Sequence, residues 1–311
     1  MQQCLMPQPI HPDGIARLLA AGIEPVIGDH ALDLADPQRT VAGIFRSTPF
    51  RRPEMERFPN LRVIGVHGAG FDNIELPAAR ALGVKVFNIP GRNAHSVAEH
   101  VLSLMFALSR QLFASDSAAR AGNMAFRFGA RLHELRGRTL GLVGFGAIGR
   151  ATGTLAVALG MRVKVLARSV TQEQLSTLGM ERVESLESLL RSSDIVSLHL
   201  PAVPETRHLI GPLQLSWMKP DALLINTGRA PLIDEPALIE ALQAGVIAGA
   251  GLDVYAFDEM PADYPLLHIP NVILTPHTGG STQEALIRMA ADVTQGVLDV
   301  LGGAEPSDRL A

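Results

Sequence analysis

Cysteine is nearly missing from this chain: Cys4 is the single one in 311 residues. That excludes an internal disulfide and fits a cytoplasmic, reducing setting. Nothing beside Cys4 looks like an activating histidine, so no thiol nucleophile is expected there. Aromatic residues are scarce too, 5% of the chain with one Trp and two Tyr. No apolar run reaches bilayer-spanning length, and the first residues lack the charged-then-apolar order of a leader. A soluble, unexported protein is the expectation. A strong charge imbalance is also lacking. The formal net charge of −4 weighs against nucleic acid or an anionic membrane as main partner. No Cys/His/Asp set has metal-ligand spacing, so no metal is expected.

What is present is apolar material, 47% of residues, drawn mainly from Ala, Leu, Val and Ile, together with 29 glycines. The length suits two moderate domains, and the mixture suits helices packed on parallel strands. Runs such as "VAGIFRS" (41–47), "LRVIGVHG" (61–68) and "VKVFNIP" (84–90) are β-branched and close on Gly, Ser or Pro. Helical patterns, "PEMERFPN" and "ELPAARALG", lie between them, which is a βαβ rhythm. From Asn93 to Ala121 there is no Gly or Pro, and Val97, Val101, Leu104, Leu108 and Leu112 repeat at helical spacing. One long helix is expected there, wide enough in its apolar face to meet a second subunit and form a homodimer through this domain. The rhythm then restarts with "TLGLVGFG", "RVKVLA", "DIVSLHLP", "ALLINTG", "IAGAGLDV" and "NVILTPH", and a last helix covers 281–301. The expected fold class is α/β, with two doubly wound parallel-sheet domains. A Rossmann cofactor domain (95–281) is inserted in a discontinuous flavodoxin-like substrate domain (1–94 plus 282–311).

"GLVGFGAIGR" holds Gly144, Gly146 and Gly149 in the G-x-G-x-x-G spacing, with Ala147 and Ile148 inside it, after a strand and opening a helix. That context turns a weak motif into a dinucleotide site. Gly144 permits the tight turn, Gly146 lets backbone approach a pyrophosphate, and Gly149 lets helix and strand pack closely. About twenty residues on, an NAD site carries an acid for the ribose hydroxyls; here "VLARSV" puts Arg168 and Ser169 instead. NADP is therefore expected over NAD. A solvated Arg168 in an enzyme that takes either cofactor is the alternative.

"LLINTGRAPLID" places Arg229 just past a strand, where a guanidinium can fork onto a carboxylate or polarise a carbonyl. "VILTPHTGGST" places His277 in the same way, with a surface-loop histidine as the bland alternative. Between them "GAGLDVYAFDEMP" carries Asp253, Asp258 and Glu259, also just after a strand. Arginine, acid and histidine at three strand ends form an acid–base constellation.

With these motifs in view, the chain resembles the D-isomer-specific 2-hydroxyacid dehydrogenases. The resemblance rests on "HGAGFDNI", "NIPGRNAHSVAEH", "GLVGFGAIGR", "PETRHLIG", "MKPDALLINTGRA", "GAGLDV" and "NVILTPH", all in family order. It implies that Arg229 binds the substrate's carboxylate and carbonyl oxygen and that His277 is the acid–base. It implies that the backbone of Ala69 and Gly70 holds the carboxylate, and that Asp253 faces the nicotinamide carboxamide. It also assigns His199, Pro201, Thr206, Thr227, His277 and Gly279 to the cofactor. The family's catalytic acid is usually a glutamate followed by proline, five residues beyond that aspartate; here Asp258 and Glu259 stand at those positions. Asp258 is the expected partner of His277, with Glu259 an outside choice. Its shorter side chain needs a loop shift or a bridging water to make contact.

Other polar residues carry less. Arg46, at a strand end, is a candidate for a substrate anion and equally a surface arginine, and Arg92 and Asn93 are weighed the same way. Glu99 and His100 read as structural hydrogen-bonding groups on a helix. His67 beside the substrate loop can shape a pocket, and Trp217 reads as packing. The expected function is an NADP-preferring reductase of small 2-oxo acids such as glyoxylate and hydroxypyruvate, reversible as a D-2-hydroxyacid dehydrogenase. The alternatives are a formate- or phosphite-type dehydrogenase on the same scaffold, or a nucleotide-sensing partner protein without turnover.

Overall fold

The computed structural model describes residues 1–257 and 260–311. It divides into a discontinuous unit, Met1–Asn93 with Gly280–Ala311, and an inserted unit, Ala94–Gly279.

The discontinuous unit is built on five parallel strands: β1 (Gln2–Met6), β2 (Ile23–Ile27), β3 (Thr40–Phe45), β4 (Val63–Val66) and β5 (Lys85–Phe87). Their order is β2-β1-β3-β4-β5, the flavodoxin-like winding. Every residue of β3 and β4 is buried, which is why those strands read as continuous apolar runs rather than alternating ones. One sheet face is covered by the helices Pro12–Ala20 and Gln283–Leu301, the latter through Met289, Val293 and Val297. The other face holds Phe45, Phe50, Met55 and Phe58. β4 admits the last helix closely because residue 65 is glycine; a Cβ there would stand 2.7 Å from Val293. β1 and β2 escape the sequence reading. β2 carries Pro25, which an edge strand tolerates because one row of its N–H groups needs no partner.

The inserted unit has seven parallel strands: β6 (Thr139–Val143), β7 (Arg162–Leu166), β8 (Met180–Arg182), β9 (Ile195–Leu198), β10 (Leu223–Asn226), β11 (Gly249–Leu252) and β12 (Val272–Leu274). Their order is β12-β11-β10-β9-β6-β7-β8, a Rossmann winding that reverses direction between β9 and β6. The register is level across six strands: Leu166, Val143, Leu198, Asn226, Leu252 and Leu274, each the last residue of its strand, form one row. Whatever follows those residues is therefore delivered to one sheet edge. Trp217 packs, half-buried, against this unit's core.

The single helix expected over 93–121 is in fact two, Ala94–Ser109 and Leu112–Arg120. They part at Gln111, which takes left-handed backbone (φ 45°, ψ 48°) with no glycine or proline to announce it. The cause is tertiary. The Ser109 carbonyl accepts the His133 N–H at 2.8 Å, so the returning connector takes the place of the next helical turn. Val97, Val101 and Leu104 are buried as expected, but Leu112 is 56% exposed. Among the described residues no helix is long and apolar enough to cross a membrane.

Candidate active site

The level row of strand ends arranges the candidate residues before any side chain is considered. Moving along the edge from β12 to β7, the chain leaves each strand into the His277 loop, Asp253, the Thr227–Arg229 turn, His199, the Gly144 loop and Arg168. Neighbouring strands lie about 4.8 Å apart, so these groups are neighbours as well.

The glycine loop fits a dinucleotide. Gly144 has φ 101°, and a Cβ on it would stand 2.5 Å from the His199 carbonyl oxygen. A Cβ on Gly149 would stand 2.5 Å from the Gly144 carbonyl, so helix and strand meet there. Around Gly146, by contrast, a Cβ would meet no protein atom within 4 Å. Gly146 is the N-cap of the helix Ala147–Ala158 and brings no side-chain cap, and the first turn holds no acid. Ala147 and Ile148 thus open a helix whose N–H groups and positive dipole end suit a pyrophosphate. After β7, Arg168 and Ser169 are exposed.

His199 sits with Nε2 3.0 Å from the Ser197 hydroxyl, and burial pushes its pKa down to about 4, so the ring is neutral. The Thr206 hydroxyl donates to the Pro201 carbonyl (2.7 Å) and accepts the Val203 N–H (2.9 Å), closing the turn beyond β9. The Thr227 hydroxyl is buried without a hydrogen-bond partner among the described residues.

Arg229 leaves β10 on a turn held by Asn226. The Asn226 carboxamide accepts the Gly228 N–H (3.1 Å) and donates to the Arg229 carbonyl (2.9 Å). The half-buried guanidinium donates to the Gly228 carbonyl at 2.8 Å through Nη1. Asn226 is 1% exposed and went unremarked in the sequence, where it reads as one more residue of the strand.

Asp253 is 2% exposed, and protein donors fill its carboxylate. Oδ1 accepts the Thr275 hydroxyl (2.6 Å) and the Thr278 N–H (2.8 Å), and Oδ2 accepts the Gly279 N–H (2.9 Å). His100 Nε2 lies 3.4 Å from Oδ1. Burial alone would raise this carboxyl's pKa, but the hydrogen bonds from His100, Thr275, Gly279 and Thr278 outweigh it and the net shift is downward. Asp253 is thereby an ionised anchor for the His277 loop. His277 itself is exposed and has φ 53°. Asp258 and Glu259 lie outside the described residues.

The remaining expected substrate groups belong to the discontinuous unit. In the loop after β4 the Ala69 carbonyl accepts from Asn88 (2.7 Å) and the Gly68 carbonyl from the Ile89 N–H (3.1 Å). Those bonds fix the loop while no acceptor among the described residues takes the N–H groups of Ala69 and Gly70. His67 is buried with both ring nitrogens unpartnered among the described residues. Burial and the nearby Arg46 guanidinium push its pKa down to about 4. Burial also lowers the pKa of Arg46, whose Nη1 lies 3.5 Å from the Pro9 carbonyl. No group of three or more metal-ligating side chains occurs among the described residues.

The sequence reading missed Asn226, Thr275 and Tyr255. Each is an ordinary strand-end residue whose importance depends on what the neighbouring strand places opposite it. For Tyr255 the partners are the carbonyls of Leu252 (2.8 Å) and Thr275 (3.0 Å).

Comparison with known proteins identifies the family. The family model for the NAD-binding domain of D-isomer specific 2-hydroxyacid dehydrogenases matches residues 102–279. A glyoxylate reductase of Aeropyrum pernix is 39% identical over 259 residues, covering 81% of this chain and 77% of the relative. A D-3-phosphoglycerate dehydrogenase of Methanocaldococcus jannaschii is 36% identical over 306 residues, 97% of this chain and 58% of that longer protein. Among solved structures, the TT0316 protein of Thermus thermophilus superposes with TM-score 0.91 at 34% identity, covering both chains fully. The NADPH-dependent glyoxylate/hydroxypyruvate reductase of Sinorhizobium meliloti, solved with NADP and malonate, superposes with TM-score 0.87 at 29% identity over all of this chain and 97% of that one. The chain therefore belongs to the D-isomer-specific 2-hydroxyacid dehydrogenase family, with NAD(P)-dependent 2-hydroxyacid dehydrogenase function.

Proposed function

We propose that this protein is an NADP-preferring reductase of small 2-oxo acids, glyoxylate and hydroxypyruvate foremost, reversible as a D-2-hydroxyacid dehydrogenase. The observation that carries the reading is the level edge where the Arg229 turn, Asp253 and the His277 loop follow one another beside an uncapped glycine-loop helix. When bound, the nicotinamide supplies the hydride to C2 of the oxo acid or takes it back from the hydroxy acid.

The chain's own residues do the rest. Arg229 binds the substrate carboxylate and draws charge onto the carbonyl oxygen. On the discontinuous unit, the Ala69 and Gly70 amides are candidates for a substrate carboxylate. Arg46 is a second cation for a substrate anion. His277 gives its proton to the carbonyl oxygen during reduction and recovers one from the hydroxyl during oxidation. Asp258 has the task of favouring the protonated ring. Gly144, Gly146, Ala147, Ile148 and Gly149 hold the pyrophosphate. His199, Pro201, Thr206, Thr227, Asp253 and Gly279 line the cofactor's remaining length.

The NADP preference is supported by exposed Arg168 and Ser169, and no acid, after β7. A guanidinium can fork onto a 2′-phosphate that a carboxylate would repel. The glyoxylate reductase names among the relatives support the substrate class. A cytoplasmic homodimer completes the reading. Exposed Phe106, Leu112, Phe113 and Phe128 on the inserted unit support the subunit contact, and light scattering on the purified chain tests it.

The deciding experiment is initial rates of NADPH and NADH oxidation with glyoxylate, hydroxypyruvate, pyruvate, phenylpyruvate and 3-phosphohydroxypyruvate. Fast turnover of a small oxo acid with NADPH is expected. Turnover with NADH alone removes the Arg168 argument, and no turnover with any pair overturns the enzymatic reading.

A further inference from the structure

His277 holds a left-handed backbone, φ 53°, that a side chain with a Cβ adopts only when its surroundings over-determine it. Two groups from the neighbouring strand end do this. On the C-terminal side of the histidine, the Asp253 carboxylate accepts the consecutive N–H groups of Thr278 and Gly279, at 2.8 and 2.9 Å. On its N-terminal side, the Thr275 carbonyl accepts both the His277 N–H (2.9 Å) and the Tyr255 hydroxyl (3.0 Å). The Tyr255 hydroxyl shares its one proton between that carbonyl and the Leu252 carbonyl (2.8 Å), a forked contact that links Leu252, the last paired residue of β11, to the first residue after β12.

The Tyr255 ring is fixed in turn. It stacks on Phe257 (centroids 5.9 Å apart) and meets Tyr264 edge-on (6.4 Å). Phe257 and Tyr264 pack against each other at 4.9 Å, and the Tyr264 hydroxyl donates to Glu235 at 2.6 Å. His100, from the helix Ala94–Ser109, closes the other end of the network. The Thr275 hydroxyl has one proton and gives it to Asp253, so its 2.9 Å contact with His100 requires an N–H on Nε2.

We infer that Asp253 and Tyr255 are positioning residues for His277: the carboxylate sets the amides after it, the hydroxyl sets the carbonyl before it, and together they aim the imidazole. The inference rests on His277 being the acid–base of the proposed reaction. It gives the Asp253 carboxylate a task in the protein that is separate from contact with the cofactor, and it gives Tyr255 one that phenylalanine could not fill.

The test uses the full chain as Tyr255→Phe and Asp253→Asn. The readouts are kcat and KM for glyoxylate at saturating NADPH, the NADPH dissociation constant, and amide hydrogen exchange over residues 275–280. Tyr255→Phe keeps the ring stack and should fold. It should lose about tenfold in kcat, the scale of one hydrogen bond, with KM and NADPH affinity within about twofold. Exchange over 275–280 should rise in both variants. A Tyr255→Phe enzyme with unchanged kcat and unchanged exchange overturns the inference, and so does one that changes only its melting temperature. An Asp253→Asn enzyme that loses NADPH affinity while exchange stays at the wild-type level returns Asp253 to the cofactor and overturns its positioning role. If the wild-type chain turns over no oxo acid, the functional reading fails by itself. The exchange measurement then still decides whether the two residues hold the histidine loop.

Discussion

The Asp253 carboxylate accepts the Gly279 N–H at 2.9 Å, and a Cβ on residue 279 would stand 2.9 Å from that same oxygen. The hydrogen bond and the absence of a side chain are one feature, because the carboxylate can come this close only over a glycine. His100 Cδ2, 3.3 Å from the same point, shuts the alternative direction. Gly279→Ala should therefore displace the His277 loop without unfolding the inserted unit. The expected result is a loss of about tenfold or more in kcat with a stability cost of about 1–3 kcal/mol, the usual scale of local overpacking. Steady-state kinetics beside a thermal melt checks it; full activity would mean that the loop adapts.

The glycine loop offers a cleaner separation of fold from ligand. Gly144→Ala places a Cβ 2.5 Å from the His199 carbonyl at a positive φ and should destabilise the unit by about 2 kcal/mol or more. Gly146→Ala meets nothing in the protein. It should leave the melting temperature within a degree or two and still weaken dinucleotide binding at least tenfold, because the Cβ fills space the pyrophosphate needs. Fluorescence titration with NADPH against melting curves distinguishes the two, and equal NADPH affinity in Gly146→Ala and wild type would refute the cradle.

The proposed NADP preference rests on Arg168. A charge-assisted contact to a phosphate is worth about 1.5–3 kcal/mol. Arg168→Ala should raise KM for NADPH by about tenfold or more and change KM for NADH little. Parallel loss with both cofactors would show that Arg168 supports the loop rather than reading the 2′-phosphate.

Stability should fall on mild acidification because two histidines, His67 buried and His199 half-buried, are held as neutral rings. Burial, joined at His67 by Arg46, holds His67 and His199 down to a pKa of about 4 against the ordinary 6.5. The unfolded chain thus binds protons first as pH falls. The contribution is intact above pH 6.5 and lost between 6.5 and 4, about 3 kcal/mol per ring when complete. Asp253 has a lowered pKa, so its contribution is lost only below the ordinary carboxylate value of 3.8. Melting temperatures measured from pH 7.5 to 4.5 should therefore decline already above pH 5, and more shallowly in His67→Leu than in wild type.

Much of this molecule could be read from local chemistry alone. The βαβ rhythm, the three glycines after β6, the missing acid after β7, and Arg229 and His277 after their strands all depend on spacing within a few residues. Such spacing is written directly in the chain, since a parallel strand, a tight turn and a helix N-terminus each impose their own pattern. The edge strands β2 and β8 are less legible, because a short or proline-bearing edge lacks the continuous apolar run of a buried strand, and the internal strand β1 opens on two glutamines.

The rest depends on which segments meet across the sheet. Helical periodicity ran through Gln111, yet the returning connector took the Ser109 carbonyl and turned the backbone left-handed there. The sequence marked Asp253 as a site residue, but its partners come from Thr275, Thr278 and Gly279, more than twenty positions away. Tyr255 carried no signal at all, because a tyrosine after a strand is unremarkable until β12 brings a carbonyl to its hydroxyl. The sequence by itself determined the fold class, the glycine loop of the NAD-binding domain and the choice of Arg229 and His277 as candidates for the chemistry. Only the tertiary structure decided the level register of six strand ends and the clamp on the His277 backbone, since both are set by hydrogen bonds between strands that no local pattern records.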